Sequence, residues 1–372
     1  LLSWFSKNAR DLPWRHTRDP YAIWVSEIML QQTQVKTVIP YWERWMRELP
    51  TIQSAAKASP AKLYKLWEGL GYYTRVRNLQ TAAQQIVAEH NGKFPKNFDD
   101  ILALPGIGRY TAGAIASIAF NQPRPILDGN VIRVLTRVFG IATDPREKKT
   151  SGHLWRLAEA LVGHATRNPQ PAVACSYFNQ SLMELGALVC TPRSPQCAAC
   201  PARKLCVARK ENLQEQLPNV GKRKGATARR FIAFVVARNG KFLVRQRPNG
   251  VVNAHLWELP NIEVAAHKGR ARHSVRAATR LSGNGAQRTD APYHSENFRI
   301  TAANPLCSVK HSITRYRITL EAFRAELVNS RAKLAGRWLT LPQLHKLAFT
   351  SAHKKILAKL ASERRSPTRR VS

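Results

Sequence analysis

The sequence predicts a multidomain chain: an all-α N-terminal region, a metal-binding loop, and an α+β C-terminal domain. Three observations predict it. Before residue 190, apolar residues recur at helical spacing and few stretches alternate as strands do. Four of the six cysteines, Cys190, Cys197, Cys200 and Cys206, then fall close together. Beyond them the texture reverses, with β-rich runs around turn residues. A length of 372 residues fits two or three domains at roughly 150 residues each.

The elements follow in order. Asp19-Pro20 reads as an N-cap with proline at the first helical position, opening a helix through about Val38. Pro60 opens another, with Leu63, Leu66 and Trp67 at helical spacing, and Arg77 to His90 forms a third. Thr111–Phe120 and Asn130–Phe139 are the next two. Residues 207–230 hold few large apolar side chains and end in the basic GKRKGATARR, as a linker would. FIAFVVARNGKFLVRQRP reads as a hairpin turning at Asn239-Gly240. SITRYRITLEAFRAEL is a further strand, PQLHKLAFTSAHKKILAKL a closing helix, and ERRSPTRRVS a basic tail. No internal repeat is visible.

The charge names a class of partner. With 59 Lys+Arg against 23 Asp+Glu the net charge is +36, which suits DNA, RNA or an anionic surface. No apolar run reaches the roughly 18 residues of a membrane span, and no signal-peptide pattern opens the chain. The charge is uneven: residues 1–206 carry 26 basic and 14 acidic side chains, residues 207–372 carry 33 and 9.

Four features carry chemistry, each beside a plainer reading. Leu104-Pro105-Gly106-Ile107-Gly108 sits between helices; its N–H groups can face a phosphate, or it is a simple helix–helix turn. Glu27 shares a helix face with Ile23, Trp24 and Leu30. Desolvation there would raise its pKa toward general-acid work, unless it merely borders an amphipathic helix. Asp128 precedes a helix that it or Asn130 caps; a carboxylate held by helix N–H groups stays ionised. One protonated and one ionised carboxyl form the pair that cleaves a glycosidic bond. The spacing C-x6-C-x2-C-x5-C marks ligands for structural zinc or a [4Fe–4S] cluster without choosing between them. Isolated Cys175 and Cys307 read as core residues.

Together these residues resemble the helix-hairpin-helix DNA glycosylases that carry a [4Fe–4S] cluster, and within them the MutY family of adenine glycosylases. The segments are LPWRHTRDPYAIWVSEIMLQQTQV, GLGYYTRVRNL, LPGIGRYTAGAIASIAFNQP, ILDGNVIRVLTRV and FNQSLMELGALVC, which span residues 12–190. An endonuclease III-like lyase acting on oxidised pyrimidines is the alternative. That relative has a nucleophilic Lys where this chain has Tyr110, so the resemblance implies a monofunctional, hydrolytic glycosylase.

The resemblance also implies roles. Glu27 would protonate adenine at N7 and help activate water; Asp128 would stabilise the oxocarbenium-like sugar; Tyr110 and Asn130 would support them. Gln180 would read the flipped adenine, with Trp14 and Arg15 lining its pocket. Gln32 and Tyr72 would fill or wedge the duplex, and Gly106 and Gly108 would form the phosphate hairpin. Cys190, Cys197, Cys200 and Cys206 would hold the [4Fe–4S] cluster.

RQRPNGVVNAHLWELP resembles part of a Nudix-like domain that recognises 8-oxoguanine, with Trp257 and Pro260 in its aromatic-proline turn. Residues 264–289 contain no Asp or Glu but six Lys or Arg, so metal-dependent nucleotide hydrolysis is not expected. Where many of the family carry Phe-Ser-His, this chain has Ile313, Thr314 and Arg315. Ile313 keeps an apolar wedge and Thr314 the hydroxyl, while Arg315 brings a permanent cation suited to phosphate.

The expected division is therefore a helix-hairpin-helix glycosylase region with its cluster loop over 1–206, a linker over 207–230, a Nudix-like domain over 231–361 and a tail over 362–372. The expected partner is duplex DNA with adenine opposite 8-oxoguanine or guanine, met by a monomer away from membranes. In a bacterium the chain would be cytoplasmic and DNA-associated.

Overall fold

The computed structural model describes residues 1–167, 174–221, 225–264, 297–313, 315–329 and 334–365. Contacts divide it into two units, Leu1–Ala58 with Thr74–Lys222, and Ser59–Tyr73 with Arg223–Ser372. Of the basic tail expected over 362–372, residues 362–365 instead continue the last helix; the rest of it, the run 264–289 beyond Val264, and Thr314 lie outside the described residues.

The first unit is helical. Its helices are α1 (Leu2–Asn8), α2 (Pro20–Leu30), α3 (Val35–Glu48) and α4 (Ile52–Lys57). After an interruption by α5 (Pro60–Trp67), which belongs to the second unit, come α6 (Thr74–Glu89), α7 (Phe98–Ala103), α8 (Arg109–Ile118) and α9 (Gly129–Val138). The rest are α10 (Lys148–Arg167), α11 (Ala174–Leu188) and α12 (Val207–Lys210). Asp19 caps α2 as expected, its Oδ1 accepting from the Tyr21 N–H at 3.0 Å. The core packs Val131, Val134 and Leu135 of α9 against Ile126, Leu154, Leu182 and Leu185, a stripe that removes one apolar face of α9 from water.

The single helix expected from Pro20 to Val38 is instead two. The chain leaves α2 at Gln31, and Gln32 takes φ +56, a conformation that costs a side-chain-bearing residue about 1 kcal/mol. Arg75 stabilises the break: its Nη1 donates to the carbonyls of Ile28, Met29 and Gln31 at 2.8, 3.1 and 2.7 Å. These are orphan acceptors at a helix C-terminus, where a cation also meets the negative end of the dipole.

The linker also differs from expectation. Residues 207–222 pack with the helical unit. Leu217 is buried, Arg137 Nε donates to its carbonyl at 2.9 Å, and Asn219 Nδ2 donates to Ala142 O at 3.1 Å. Anchorage through backbone carbonyls leaves no apolar pattern for the sequence to display.

The second unit is a mixed sheet with helices. Its strands are β1 (Thr227–Arg238), β2 (Lys241–Gln246), β3 (Trp257–Glu258), β4 (Asn261–Val264), β5 (Phe298–Ile300), β6 (Cys307–Ile313), β7 (Tyr316–Leu327) and β8 (Arg337–Thr340). The order is β3-β2-β1-β7-β5, with β4 on β1, β6 on β7 and β8 on β2. β1 and β7 run parallel with Phe231 opposite Leu320, while the other named pairs are antiparallel. Alternation sends Ala233, Val235, Leu320 and Ala322 to one face, against α13 (Leu341–His345) and α14 (Ser351–Arg365). Ile232, Phe234, Val236 and Phe323 line the other. The Asn239-Gly240 hairpin forms as read, both residues at positive φ (+48 and +73) between β1 and β2.

Two runs break where none was expected. The strand read over 312–327 spans the end of β6 and all of β7, which pair at Ile313 and Tyr316. The closing helix read over 342–360 is split into α13 and α14, because the intervening segment turns back to β3: Trp257 N–H donates to Ala348 O at 2.8 Å and Thr350 N–H to Trp257 O at 3.3 Å. No helix among the described residues is long and apolar enough to cross a membrane.

Candidate active site and cysteine loop

A cavity of about 320 Å³ opens in the helical unit, and the residues with the strongest chemical signal line it together. Glu27 comes from α2, Tyr110 from the first turn of α8, Asp128 and Asn130 from the start of α9, and Gln180 from α11. Trp14, Arg15 and Gln32 complete the expected set. The break after α2 explains Gln32: a continuous helix would carry it on around the axis.

Glu27 is 4% exposed and accepts a 2.6 Å hydrogen bond on Oε2 from the Tyr110 phenol. Burial pushes its pKa up to about 7; the phenol opposes the shift and the nearby Asp128 adds to it. Tyr110 is itself held well above the ordinary phenol pKa, chiefly by burial and then by the charge of Glu27, so it remains a donor. Half-buried Asp128 is treated differently. Burial raises its pKa too, but the Val131 N–H donates to Oδ1 at 2.7 Å and Asn130 Nδ2 to Oδ2 at 2.9 Å. Asp128 is the N-cap of α9, so the capping reading and the chemical reading describe one residue. The two carboxyls sit in one cavity with unequal donors, an arrangement that separates their protonation.

Behind them, Arg133 of α9 is 9% exposed and ties the site down. Its Nη2 donates to Asn130 Oδ1 at 2.8 Å and to Gly186 O at 2.7 Å, and its Nε to Cys190 O at 2.7 Å. Arg15 lines the cavity with its guanidinium already engaged, donating to Arg10 O and to both oxygens of Glu184 at 2.8, 3.2 and 2.9 Å. Trp14 is buried edge-on to Trp42, and Gln180 Nε2 donates to Ser176 Oγ at 3.1 Å.

The sequence reading missed Glu184, Arg10 and Arg133. Glu184 is fully buried, paired with both arginines, and held at a pKa of about 2: burial would raise it, but the hydrogen bonds from Arg10 and Arg15 prevail. A lone carboxylate in the apolar run SLMELGALVC was the available signal.

Gly106 and Gly108 form the turn between α7 and α8, outside this cavity's lining. Gly106 has φ +78, and a Cβ there would stand 2.6 Å from Asn78 Cβ, so glycine is required twice over. Gly108 caps α8 with no side-chain acceptor on the helix N–H groups, leaving that positive helix end available to an anion. Tyr72 and Ile313 belong to the second unit. Tyr72 is 45% exposed at φ +48; Ile313 is half-buried at the end of β6, and Arg315 lies over the Tyr316 ring.

Cys190, Cys197, Cys200 and Cys206 line a second, small cavity with Arg137, Arg203 and Arg209. Arg137 Nη1 approaches Cys190 Sγ at 3.4 Å, and Cys206 Sγ faces Arg137 O at the same distance. Burial, and then the neighbouring thiols, raise the pKa of Cys197. Among the described residues no three His, Cys, Asp or Glu side chains converge on a point for one metal ion. Four sulfurs lining one cavity beside arginines are a donor set that suits a bound metal or cluster.

Over residues 25–160 the chain matches the family described as HhH-GPD superfamily base excision DNA repair protein, and over 232–359 the NUDIX domain family. It is 36% identical to the adenine DNA glycosylase of Homo sapiens over 414 residues, covering 96% of this chain and 72% of the human one. The Mus musculus enzyme of the same name is 35% identical, with 100% and 79% covered. That of Buchnera aphidicola from Schizaphis graminum is 38% identical, with 71% and 74% covered. A solved thermostable thymine-DNA glycosylase aligns at TM-score 0.51 and 32% identity, covering 56% of this chain and 93% of that one.

Proposed function

The chain belongs to the adenine DNA glycosylase family, base-excision repair enzymes, and on that premise we propose which adenine it removes and which residues remove it. The substrate is adenine opposite 8-oxoguanine or guanine in duplex DNA, met by a monomer. In a bacterium the work is cytoplasmic.

Glu27, protonated near neutrality, gives its proton to adenine N7. The C1′–N9 bond then breaks with its electron pair leaving on the base, and ionised Asp128 stabilises the oxocarbenium-like sugar. Glu27, now a carboxylate, takes a proton from the water that adds to C1′. Tyr110 orients Glu27, and Asn130 holds Asp128. Gln180 reads the base edge; Trp14 packs the base, and Arg15, held by Glu184, shapes the wall. Gln32 and Tyr72 occupy the duplex around the flipped nucleotide, and the Gly106–Gly108 turn holds a phosphate. Residues 1–206 supply this machinery. The Nudix-like unit reads the opposite base through Ile313, at the end of β6, and through Thr314.

Cys190, Cys197, Cys200 and Cys206 hold a [4Fe–4S] cluster, whose contribution is to fasten the loop and place its basic residues. The observation that carries this reading is the pair of unequal carboxyls in one cavity, with a phenol and no amine at position 110. A labelled duplex with adenine opposite 8-oxoguanine tests it. Adenine release with strand scission only after alkali is expected. A spontaneous nick would restore the lyase reading, and equal release opposite thymine would remove the substrate assignment.

A further inference from the structure

The segment Ser59–Tyr73 interrupts the helical unit in sequence, yet it packs as part of the second unit. Its helix α5 starts conventionally, with Ser59 Oγ accepting from the Lys62 N–H and Pro60 at the first position. After Trp67 the chain turns sharply through Gly69 (φ +113) and Gly71 (φ +71). The turn is stapled from within: Trp67 Nε1 donates to Gly71 O at 3.1 Å, and the Gly69 N–H to the Tyr73 hydroxyl at 3.3 Å. The outcome is that Tyr73 is 4% exposed and Tyr72, its neighbour, 45%.

Glu68 sits at the base of this turn, 6% exposed. Its Oε2 accepts from Lys65 Nζ at 2.9 Å and from Lys354 Nζ of α14 at 3.0 Å; its Oε1 accepts from the Phe349 N–H at 2.9 Å. Lys65 Nζ also donates to Leu347 O at 3.0 Å. One helical turn earlier, Tyr64 stacks on His255 with ring centroids 5.8 Å apart and planes 10° apart. Burial alone would raise the pKa of Glu68, but donors from Lys65, Phe349 and Lys354 hold it below the ordinary carboxyl value. These partners come from 281 and 286 residues further along the chain. They join the Tyr72 turn to the helical layer that backs the sheet.

We propose that Glu68 is a positioning residue for recognition of the opposite base: with Lys65, Lys354 and the Phe349 N–H it latches the Tyr72 turn to the C-terminal unit, so that the residue entering the duplex and the surface reading the orphaned base move as one body. This rests on the reading of Tyr72 as a duplex contact. Glu68 touches no reacting atom, so the latch governs affinity and opposite-base preference and leaves the chemical step alone. A turn fixed at its base pre-orders Tyr72, and an unlatched turn must be ordered when DNA binds.

The test uses the full chain. Affinity is measured on adenine:8-oxoguanine and adenine:guanine duplexes, and base release in single turnover at saturating enzyme. Glu68→Gln keeps the shape and loses the charge. It is expected to weaken binding by roughly three- to tenfold, the loss an ordinary net hydrogen bond produces, and to narrow the ratio between the two duplexes. Its rate of base release at saturation should stay within about twofold. Lys354→Met removes the cation from α14 alone and should do the same, with Lys354→Arg restoring the ratio. If both variants melt earlier yet bind and discriminate as before, Glu68 is merely structural and the latch is overturned. Tyr72→Ala separates the two readings. Should Tyr72→Ala bind as tightly as the parent, the duplex contact fails and the latch with it. Should Tyr72→Ala weaken binding while Glu68→Gln does not, the contact stands and the latch alone fails.

Discussion

The Tyr110 hydroxyl donates to Glu27 Oε2 at 2.6 Å, a bond between the first turn of α8 and the interior of α2 that spans 83 residues. It links the turn read as a DNA anchor to the carboxyl read as the acid. The phenol favours the ionised form of Glu27, so it trims a pKa that burial raises. Tyr110→Phe should therefore carry the alkaline limb of the single-turnover pH–rate profile to higher pH, with a loss of rate at neutrality of about tenfold or less. A limb that stays in place would show that Glu27 is not the group titrating.

Glu27 also marks where the fold gives up stability. Its pKa rises from 4.5 to about 7 on folding, so the native chain holds a proton that the unfolded chain releases. Stability is full below about pH 4.5, declines as pH rises through about 7, and then levels off, by up to about 3 kcal/mol in all. Glu27→Gln should remove that decline. Denaturant melts at pH 8 should find the variant more stable than the parent, with near equality at pH 4. The same variant should bind the mismatch and lose base release by at least about a hundredfold. Residual turnover near that of the parent would take the acid's role from Glu27.

Arg133 supports both ends of the catalytic machinery through α9. Arg133→Met would leave Asn130 Oδ1, Gly186 O and Cys190 O without their donor and cost about 3 kcal/mol or more. Base release should fall, since Asn130 would no longer be held against Asp128. Thermal melting and single-turnover kinetics on one preparation check both effects. Unchanged stability would mean water replaces the guanidinium.

The cysteine cavity predicts iron. Protein purified without oxygen should contain iron and acid-labile sulfide in equal amounts, with broad visible absorbance, and Cys200→Ser should lose much of both. One equivalent of colourless zinc in the parent would replace the cluster by a single-ion site.

Much of this was legible in the sequence where local chemistry decides. Asp19-Pro20, Pro60 and Asn239-Gly240 each produce the start or turn they announce. The carboxyls at 27 and 128 also meet in one cavity. What stayed hidden depends on partners remote in the chain. The end of α2 is set by Arg75, 44 residues beyond Gln31, and Glu184 finds Arg10 across 174 residues. β6 and β7 pair at Ile313 and Tyr316, and the sequence there holds none of the residues that usually announce a break, so the two read as a single run. The break before α14 is imposed by a strand, Trp257, that no helical pattern can reveal.

The excursion at Ser59–Tyr73 means that the polypeptide passes between its two units three times, at 58/59, 73/74 and 222/223. A chain cut between residues 222 and 225 would thus make two fragments without undoing the second unit, because α5 remains with the first fragment while its partners lie on the other. The fragments should copurify and reassemble like a split reporter. Expressed alone, the N-terminal fragment would carry Tyr64 without the His255 ring it stacks on, and Glu68 without the donors from Phe349 and Lys354. Gene truncation at the apparent domain boundary is therefore a different operation from removing a domain, and swapping C-terminal units between relatives requires exchanging fifteen residues from the middle of the catalytic region as well.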